Sequence, residues 1–462
     1  MLSEKLRALG DWVWGWPLML LFLFVGVLYM VRLRGLPLRR LGTALKLIFQ
    51  KNETEGVSSY SALCAALAAT IGTGNIVGVA TALSAGGPGA LLWMLVGAVF
   101  GMATQYAEGY LAVRYRKKTK DGWYGGPFCY IEYGLGKRWK WLGKLFAGIG
   151  AAVGLLGVGT MTQSNSISTA VENFFDPARS RVLFCLGEQP VTLAALLCGL
   201  LVTVLSALVL LGGMQRIFRV CEALVPLMSV LYLLFSVVIL LRYAPQLPAA
   251  VGLVLRSAFS PRAAFGAAAG ISLRTVLRMG IGRGVFTNEA GLGTTPIAAA
   301  TVSGTDPVRQ GLVSMTATFI DTIVICTVTG LCLVVTGAWS APFEGVGVTD
   351  FAWRSALPWP EALSSFLLML CLIFFAFATI IGWQFYAERC LTYLTGENDR
   401  VLRIYRLLYL GAVALGTFLP VTAVWELADI FNALMGLPNL AALLLLQNRV
   451  VEGSRQGISP AL

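Results

Sequence analysis

The chain has 462 residues, 57% of them hydrophobic and 13% charged, with a formal net charge of +12. Soluble domains carry about 25% charged residues, so this composition excludes an ordinary soluble globular protein. The charge does not mark a nucleic-acid binder either: the basic residues fall between long apolar runs, where they anchor cytoplasmic loops of a membrane protein.

The first apolar run, about 13–31, opens on Trp12, Trp14 and Trp16, an interfacial belt. No typical cleavage site follows it, so it reads as a retained helix. Arg32, Arg34, Arg39, Arg40, Lys46 and Lys51 come next and mark a cytoplasmic segment. Residues 1–56 are therefore an N-terminal helix with a basic tail of its own, 57–447 a ten-helix core and 448–462 a cytoplasmic C-terminal tail. About 20 apolar residues span a bilayer. The core spans are about 60–84, 89–113, 145–172, 191–211, 217–242, a discontinuous 265–301, 310–336, 362–388, 402–419 and 424–447. The pattern around Leu247–Phe259 suggests a short helix lying on the membrane surface. With segment 32–51 inside, cytoplasmic segments hold 24 of the 35 Lys and Arg residues, which places the N-terminus outside and the C-terminus inside. The fold class is an all-α polytopic membrane protein with eleven transmembrane helices.

Nine cysteines and no histidine are present. Most of the cysteines lie inside apolar runs and act as small hydrophobes, and no cysteine spacing marks a metal centre. A membrane-embedded enzyme is disfavoured, since neither a metal-binding cluster nor a serine nucleophile elbow occurs.

Two of the ten core spans look broken. The first contains Gly72-Thr73-Gly74-Asn75, a poor helix: glycine costs about 1 kcal/mol against alanine in a helix, and Asn and Thr compete for backbone hydrogen bonds. The sixth contains the glycine-rich stretch from Met279 to Gly291. Non-helical backbone at membrane depth survives only where protein buries it or where it lines a cavity, and paired breaks in two halves point to a transporter binding site. Small residues also serve close helix packing, so packing is the competing reading. A channel or sensor is the remaining class, less suited to paired breaks than a carrier.

A broken helix offers free N–H groups to a carboxylate and free carbonyls to a cation. Thr73, Gly74 and Asn75 are candidates for that role. Gln163 and Asn165 are polar and deep in an apolar, glycine-rich span, where they either contact a ligand or join helices. Thr379 and Trp383 are one turn apart and share a helix face; one supplies a hydroxyl, the other a wall. Arg283, Glu289 and Asp321 are ionisable groups in the membrane and read as a gate, an ion path or a structural ion pair. Glu108 lies near the inner end of its span, within reach of the interface.

The runs GTGNIVGVATALSAGGPGALLWMLVGAVFGMATQYAEGYLAVRYR (72–116), GGPFCYIEYGLG (125–136), TQSNS (162–166), RGVFTNEAGLGTTPIAAA (283–300), QGLVSMTATFIDTIVICT (310–327) and FAFATIIGWQFYAERC (375–390) resemble the alanine or glycine:cation symporters. The resemblance covers most of the chain after about residue 57. It implies a LeuT-type core of five-plus-five inverted repeats preceded by one extra helix, in the cell (inner) membrane. It implies sodium-coupled symport of alanine or glycine with no cofactor. It carries substrate contacts to Thr73, Gly74, Asn75, Gln163, Asn165, Phe286, Thr379 and Trp383, and sodium to carbonyls near Ala69 and Gly72 with the Thr379 hydroxyl. Two positions depart from the family pattern. Ala378 replaces a second hydroxyl residue, and Thr160 stands where Asn is common. Proton coupling through Glu289 or Asp321 is the rival to sodium.

Overall fold

The computed structural model describes residues 13–50, 56–119, 122–157, 159–186, 189–259, 272–419 and 421–457. Trp12, Lys51, the start of the expected 265–301 span and the last five residues lie outside the described residues.

The chain is a succession of helices. They are α1 (Trp16–Arg32), α2 (Ser59–Thr70), α3 (Val77–Gly86), α4 (Gly89–Arg114), α5 (Lys140–Leu156), α6 (Met161–Phe175), α7 (Leu193–Leu210) and α8 (Gly213–Arg242). In the second half come α9 (Leu273–Asn288), α10 (Thr295–Ala299), α11 (Pro307–Thr318), α12 (Thr327–Val335), α13 (Val346–Ala356), α14 (Glu361–Thr395), α15 (Asp399–Gly416) and α16 (Val421–Gly457). Two short antiparallel hairpins, Lys117–Thr119 with Gly122–Tyr124 and Val182–Leu186 with Gln189–Thr192, connect helices.

Local chemistry sets several helix starts. Ser58, Thr192, Ser272, Asp306 and Asn398 each accept a hydrogen bond from a first-turn N–H, and Pro307 opens α11. Among the described residues, seven helices are long and apolar enough to cross a membrane; the α2–α3 pair, bent by 62°, makes an eighth. The outward row Leu197, Leu200, Leu201, Val204, Leu205 and Leu208 on α7 is exposed, the surface that lipid covers. The protein is an all-α polytopic membrane protein.

The first expected break is present: α2 stops at Thr70, a single 3-10 turn covers Thr73–Asn75, and α3 restarts at Val77. The second falls at the C-terminal end of the expected Met279–Gly291 stretch and runs past it. The helix runs unbroken through Gly280, Gly282 and Gly284, so Arg283 and Phe286 are helical, and the chain leaves helix only from Glu289 to Thr294. Gly280 and Gly284 serve close packing instead. A methyl on Gly280 would lie 2.5 Å from the Ala90 carbonyl oxygen, and one on Gly284 3.2 Å from Met94 Cγ, both on α4.

Three further segments differ from the expected outline. The span 145–172 is divided into α5 and α6 around Gly157–Thr160, where the Thr160 hydroxyl donates to the Leu155 carbonyl at 2.8 Å. A helix, α13, occupies the segment between spans 310–336 and 362–388. The C-terminal segment from 448 continues as helix to Gly457, and Arg32 donates to Gln447 and Asn448 on it at 2.7 and 2.8 Å. The segment expected to form a short surface helix is helical over Leu247–Phe259, and Trp93 donates to its Ala258 carbonyl at 3.0 Å.

The α9–α4 contact predicts opposite results at two glycines of one helix. Gly280→Ala should destabilise by about 1–3 kcal/mol through overpacking, whereas Gly282→Ala, whose methyl meets only Met19 Sδ at 3.5 Å, should leave stability unchanged or raised. Thermal unfolding of the two detergent-solubilised variants distinguishes them.

Candidate functional site

The site is built where two interrupted helices meet α14. At the first break the chain turns through Gly72, whose N–H donates to Asn75 Oδ1 at 3.0 Å, while Asn75 N–H donates back to the Gly72 carbonyl at 3.2 Å. This closed turn leaves other groups unused. Among the described residues, the N–H groups of Thr73 and Gly74 have no acceptor, and the Thr73 hydroxyl is buried with no partner. They precede the first turn of α3, where the helix dipole is positive. Together they are donors suited to a carboxylate.

The other side of this break faces α14. A methyl on Gly72 would lie 2.5 Å from Thr379 Oγ1 and 3.5 Å from Gln163 Oε1. Only glycine permits that approach. A methyl on Gly382 would lie 2.8 Å from the Ala69 N, so the last turn of α2 presses on α14 just beyond Thr379. The Thr379 hydroxyl donates to the Phe375 carbonyl at 3.1 Å, which leaves its oxygen able to accept or coordinate. Ala69, Gly72, Gln163 and Thr379 are thus brought together, with Ala378 buried beside them.

Gly74 faces α9. A methyl on it would meet Thr287 Cγ2 at 3.1 Å and Phe286 Cδ1 at 3.8 Å. Trp383 is fully buried, stands edge-on to Tyr386, and donates from Nε1 to Glu289 Oε1 at 3.1 Å. Gly159 packs directly on the Trp383 side chain. Asn165 is placed apart from the rest: its amide donates to the Leu419 carbonyl at 2.7 Å and the Gly416 carbonyl at 3.2 Å, joining α6 to the end of α15.

The three ionisable residues have different neighbours. The Arg283 guanidinium lies 5.6 Å from the Phe286 ring centroid. Glu289 accepts from Trp383 and, at 2.5 Å, from the Thr294 hydroxyl. Asp321 accepts from Asn75 Nδ2 and from the Thr322 hydroxyl, both at 2.7 Å. Asp321 sits in a π-helical turn, Phe319–Cys326, between α11 and α12; such turns often mark functional positions. Asn288 donates to Thr322 at 3.1 Å. Asn75, Asp321, Thr322 and Asn288 therefore form one buried polar chain from the first break to the second.

Sequence reasoning missed the residues that hold the second break. Glu108 does not reach the interface: it is fully buried and accepts from Gly291 N–H at 3.3 Å, Gly293 N–H at 3.1 Å and Asn439 Nδ2 at 2.6 Å. Gln105, one turn earlier, donates to the Asn288 carbonyl at 2.9 Å and accepts from Thr318 N–H at 3.1 Å. Their signal was available, since two polar residues at i and i+3 in an apolar helix share a face and turn inward.

Buried broken helices within a set of apolar spans define a membrane transporter. A family model described as the sodium:alanine symporter family matches residues 1–456. An uncharacterized transporter of Haemophilus influenzae is 45% identical over 458 residues, covering 98% of this chain and 96% of its own. The sodium/alanine symporter AgcS of Methanococcus maripaludis is 40% identical, covering 97% and 96%. The probable sodium/glutamine symporter GlnT of Bacillus subtilis is 34% identical, covering 96% and 87%. The chain belongs to the sodium:alanine symporter family, a family of transporters and not of enzymes.

The Gly72–Thr379 approach yields a second prediction. Gly72→Ala should weaken alanine binding at least tenfold, a loss of about 1.4 kcal/mol or more, because the added methyl must displace Thr379 or the break. Isothermal titration of the folded variant reads this; wild-type affinity would remove the approach from the site.

Proposed function

We propose that the protein is a sodium-coupled symporter of small neutral amino acids, alanine and glycine, that works by alternating access. The observation carrying this reading is the first break, with its two unused N–H groups and hydroxyl on one side and the Thr379 oxygen on the other. The substrate carboxylate binds Thr73 and Gly74. Phe286 and Trp383 limit the side chain, and Gln163 lies beside Gly72. Sodium binds carbonyls near Ala69 and Gly72 together with Thr379. The buried Ala378 contributes no side-chain oxygen, so the ion rests mainly on backbone carbonyls and the Thr379 hydroxyl. A relative named for glutamine makes larger amides worth including among the substrates tested.

In this reading α1 is one pass and the remaining helices make ten more, arranged as five-plus-five inverted repeats of LeuT type, with the first and sixth interrupted. The N-terminus is outside and the C-terminus cytoplasmic, in the cell membrane. Glu289 and Asp321, both buried, favour one second reading, in which a proton replaces sodium.

Uptake of labelled alanine into proteoliposomes separates the two. A sodium gradient should drive accumulation, a pH gradient alone should not, and external unlabelled alanine should exchange with label inside. Thr379→Ala should raise the sodium concentration for half-maximal uptake, and alanine affinity should fall with it, since ion–ligand coupling is reciprocal. Sodium-independent accumulation driven by pH, abolished by Asp321→Asn or Glu289→Gln, would replace sodium with the proton.

A further inference from the structure

We propose that Glu108 is a built-in carboxylate that occupies the second break, and that with Gln105 it is a positioning residue confining the substrate's carboxylate to the first break. The two breaks differ in one respect that matters chemically. At the first, consecutive N–H groups are unused. At the second, every N–H from Glu289 to Gly293 has an acceptor. Glu289 donates to the Val285 carbonyl at 2.9 Å, Ala290 to Asn288 Oδ1 at 3.0 Å and Leu292 to the Glu289 carbonyl at 3.0 Å. The remaining two, Gly291 and Gly293, donate to the two oxygens of Glu108.

A carboxylate held by two backbone N–H groups of an interrupted helix is the arrangement that an amino acid substrate would make. Here the protein supplies that carboxylate from α4. Its third donor, Asn439, also donates to the Gly291 carbonyl at 2.8 Å and accepts from the Tyr130 hydroxyl. Gln105 holds the other edge, through the Asn288 carbonyl and the Thr295 hydroxyl, the latter at 3.2 Å. Glu108, Gln105 and Asn439 thus pair the Gly291 and Gly293 N–H groups and the Asn288 and Gly291 carbonyls, and tie the loop to α4 and α16. Positive φ at Glu289 (55°), Gly291 (90°) and Gly293 (86°) fixes a loop of one shape. That shape places Glu289 against Trp383, while Phe286 and Thr287 at the end of α9 lie against Gly74, so the second break reaches the first with its Gly291 and Gly293 N–H groups already taken.

The inference rests on the proposed function for the ligand at the first break, and its test is chosen to fail separately. Glu108→Ala removes the carboxylate and leaves space for a small one. Unfolding temperature and alanine binding are measured with and without acetate, and with chloride at equal ionic strength. Alanine affinity should fall about tenfold or more, the scale of losing charge-assisted hydrogen bonds. Acetate, but not chloride, should raise the variant's unfolding temperature and recover part of the affinity, while leaving wild type unchanged. A merely space-filling role would show no acetate response, and that result overturns the proposal. If Glu108→Ala does not fold, Glu108→Gln decides. Its amide keeps the volume but opposes N–H with N–H, so maximal transport should drop about tenfold or more, and Glu108→Gln with Asn439→Asp should recover part of it. Unchanged transport in Glu108→Gln overturns the proposal. Absence of alanine binding in wild type would instead overturn the proposed function, and the acetate response of Glu108→Ala would still report on the Glu108 contact.

Discussion

Backbone polar groups freed inside a membrane protein have no lipid partner, and each costs several kcal/mol if nothing replaces its helical bond. That constraint organises this structure. The chain interrupts helices at 71–76 and 289–294, and other segments have to answer for the groups each interruption releases. From Glu289 to Gly293 every N–H has an acceptor, two of them the Glu108 oxygens from α4, while Asn439 on α16 donates to the Gly291 carbonyl. At 71–76 the answer is partial: Asn75 closes the turn on itself, and Thr73 and Gly74 keep their N–H groups. A buried donor without an acceptor is costly unless something binds there. The deficit at the first break is what the proposed substrate carboxylate would fill.

Asn75 also links that break to the remainder of the polar interior. One end of its amide caps Gly72; the other donates to Asp321. From Asp321 the chain of hydrogen bonds runs through Thr322 to Asn288, the last helical residue before the second break. The π-helical turn at Phe319–Cys326 gives this stretch a local geometry that a regular helix would not have. Networks of this kind are costly when half satisfied, so the positions of the two breaks are set jointly rather than separately.

The sequence shows the helices well because long apolar runs need little else to identify them. It shows the first break because Thr and Asn flank the glycines there, and both side chains compete with a helix. It draws the second too early and too wide because Gly280, Gly282 and Gly284 look the same as Gly291 and Gly293 in one dimension. What separates them is tertiary: the first group either packs on α4 or has room to spare, while Gly291 and Gly293 hold positive φ. Glu108 is misread for a related reason. A carboxylate six residues from Arg114 suggests the interface, and only the fold reveals Gly291 and Gly293 above it. At Asn165 the sequence left two roles open, and the amide takes up the helix-joining one, donating to carbonyls at the end of α15. Depth in the membrane is legible; which neighbour a polar group meets at that depth is not.

The element joining both breaks is α14. Thr379 stands over Gly72 at the first break, and Trp383 bonds Glu289 at the second. These two residues are four apart and so lie one above the other on a single helix face. Gly382, between them, lets the backbone of α2 approach at Ala69. A displacement of α14 along its axis is therefore felt at both breaks at once. Glu108 ties the loop of the second break to α4, whereas the first keeps the donors that the proposed substrate takes up. The proposed ion and substrate contacts share that helix face and are linked through it, so the binding of either would change the free energy of the other by the same amount.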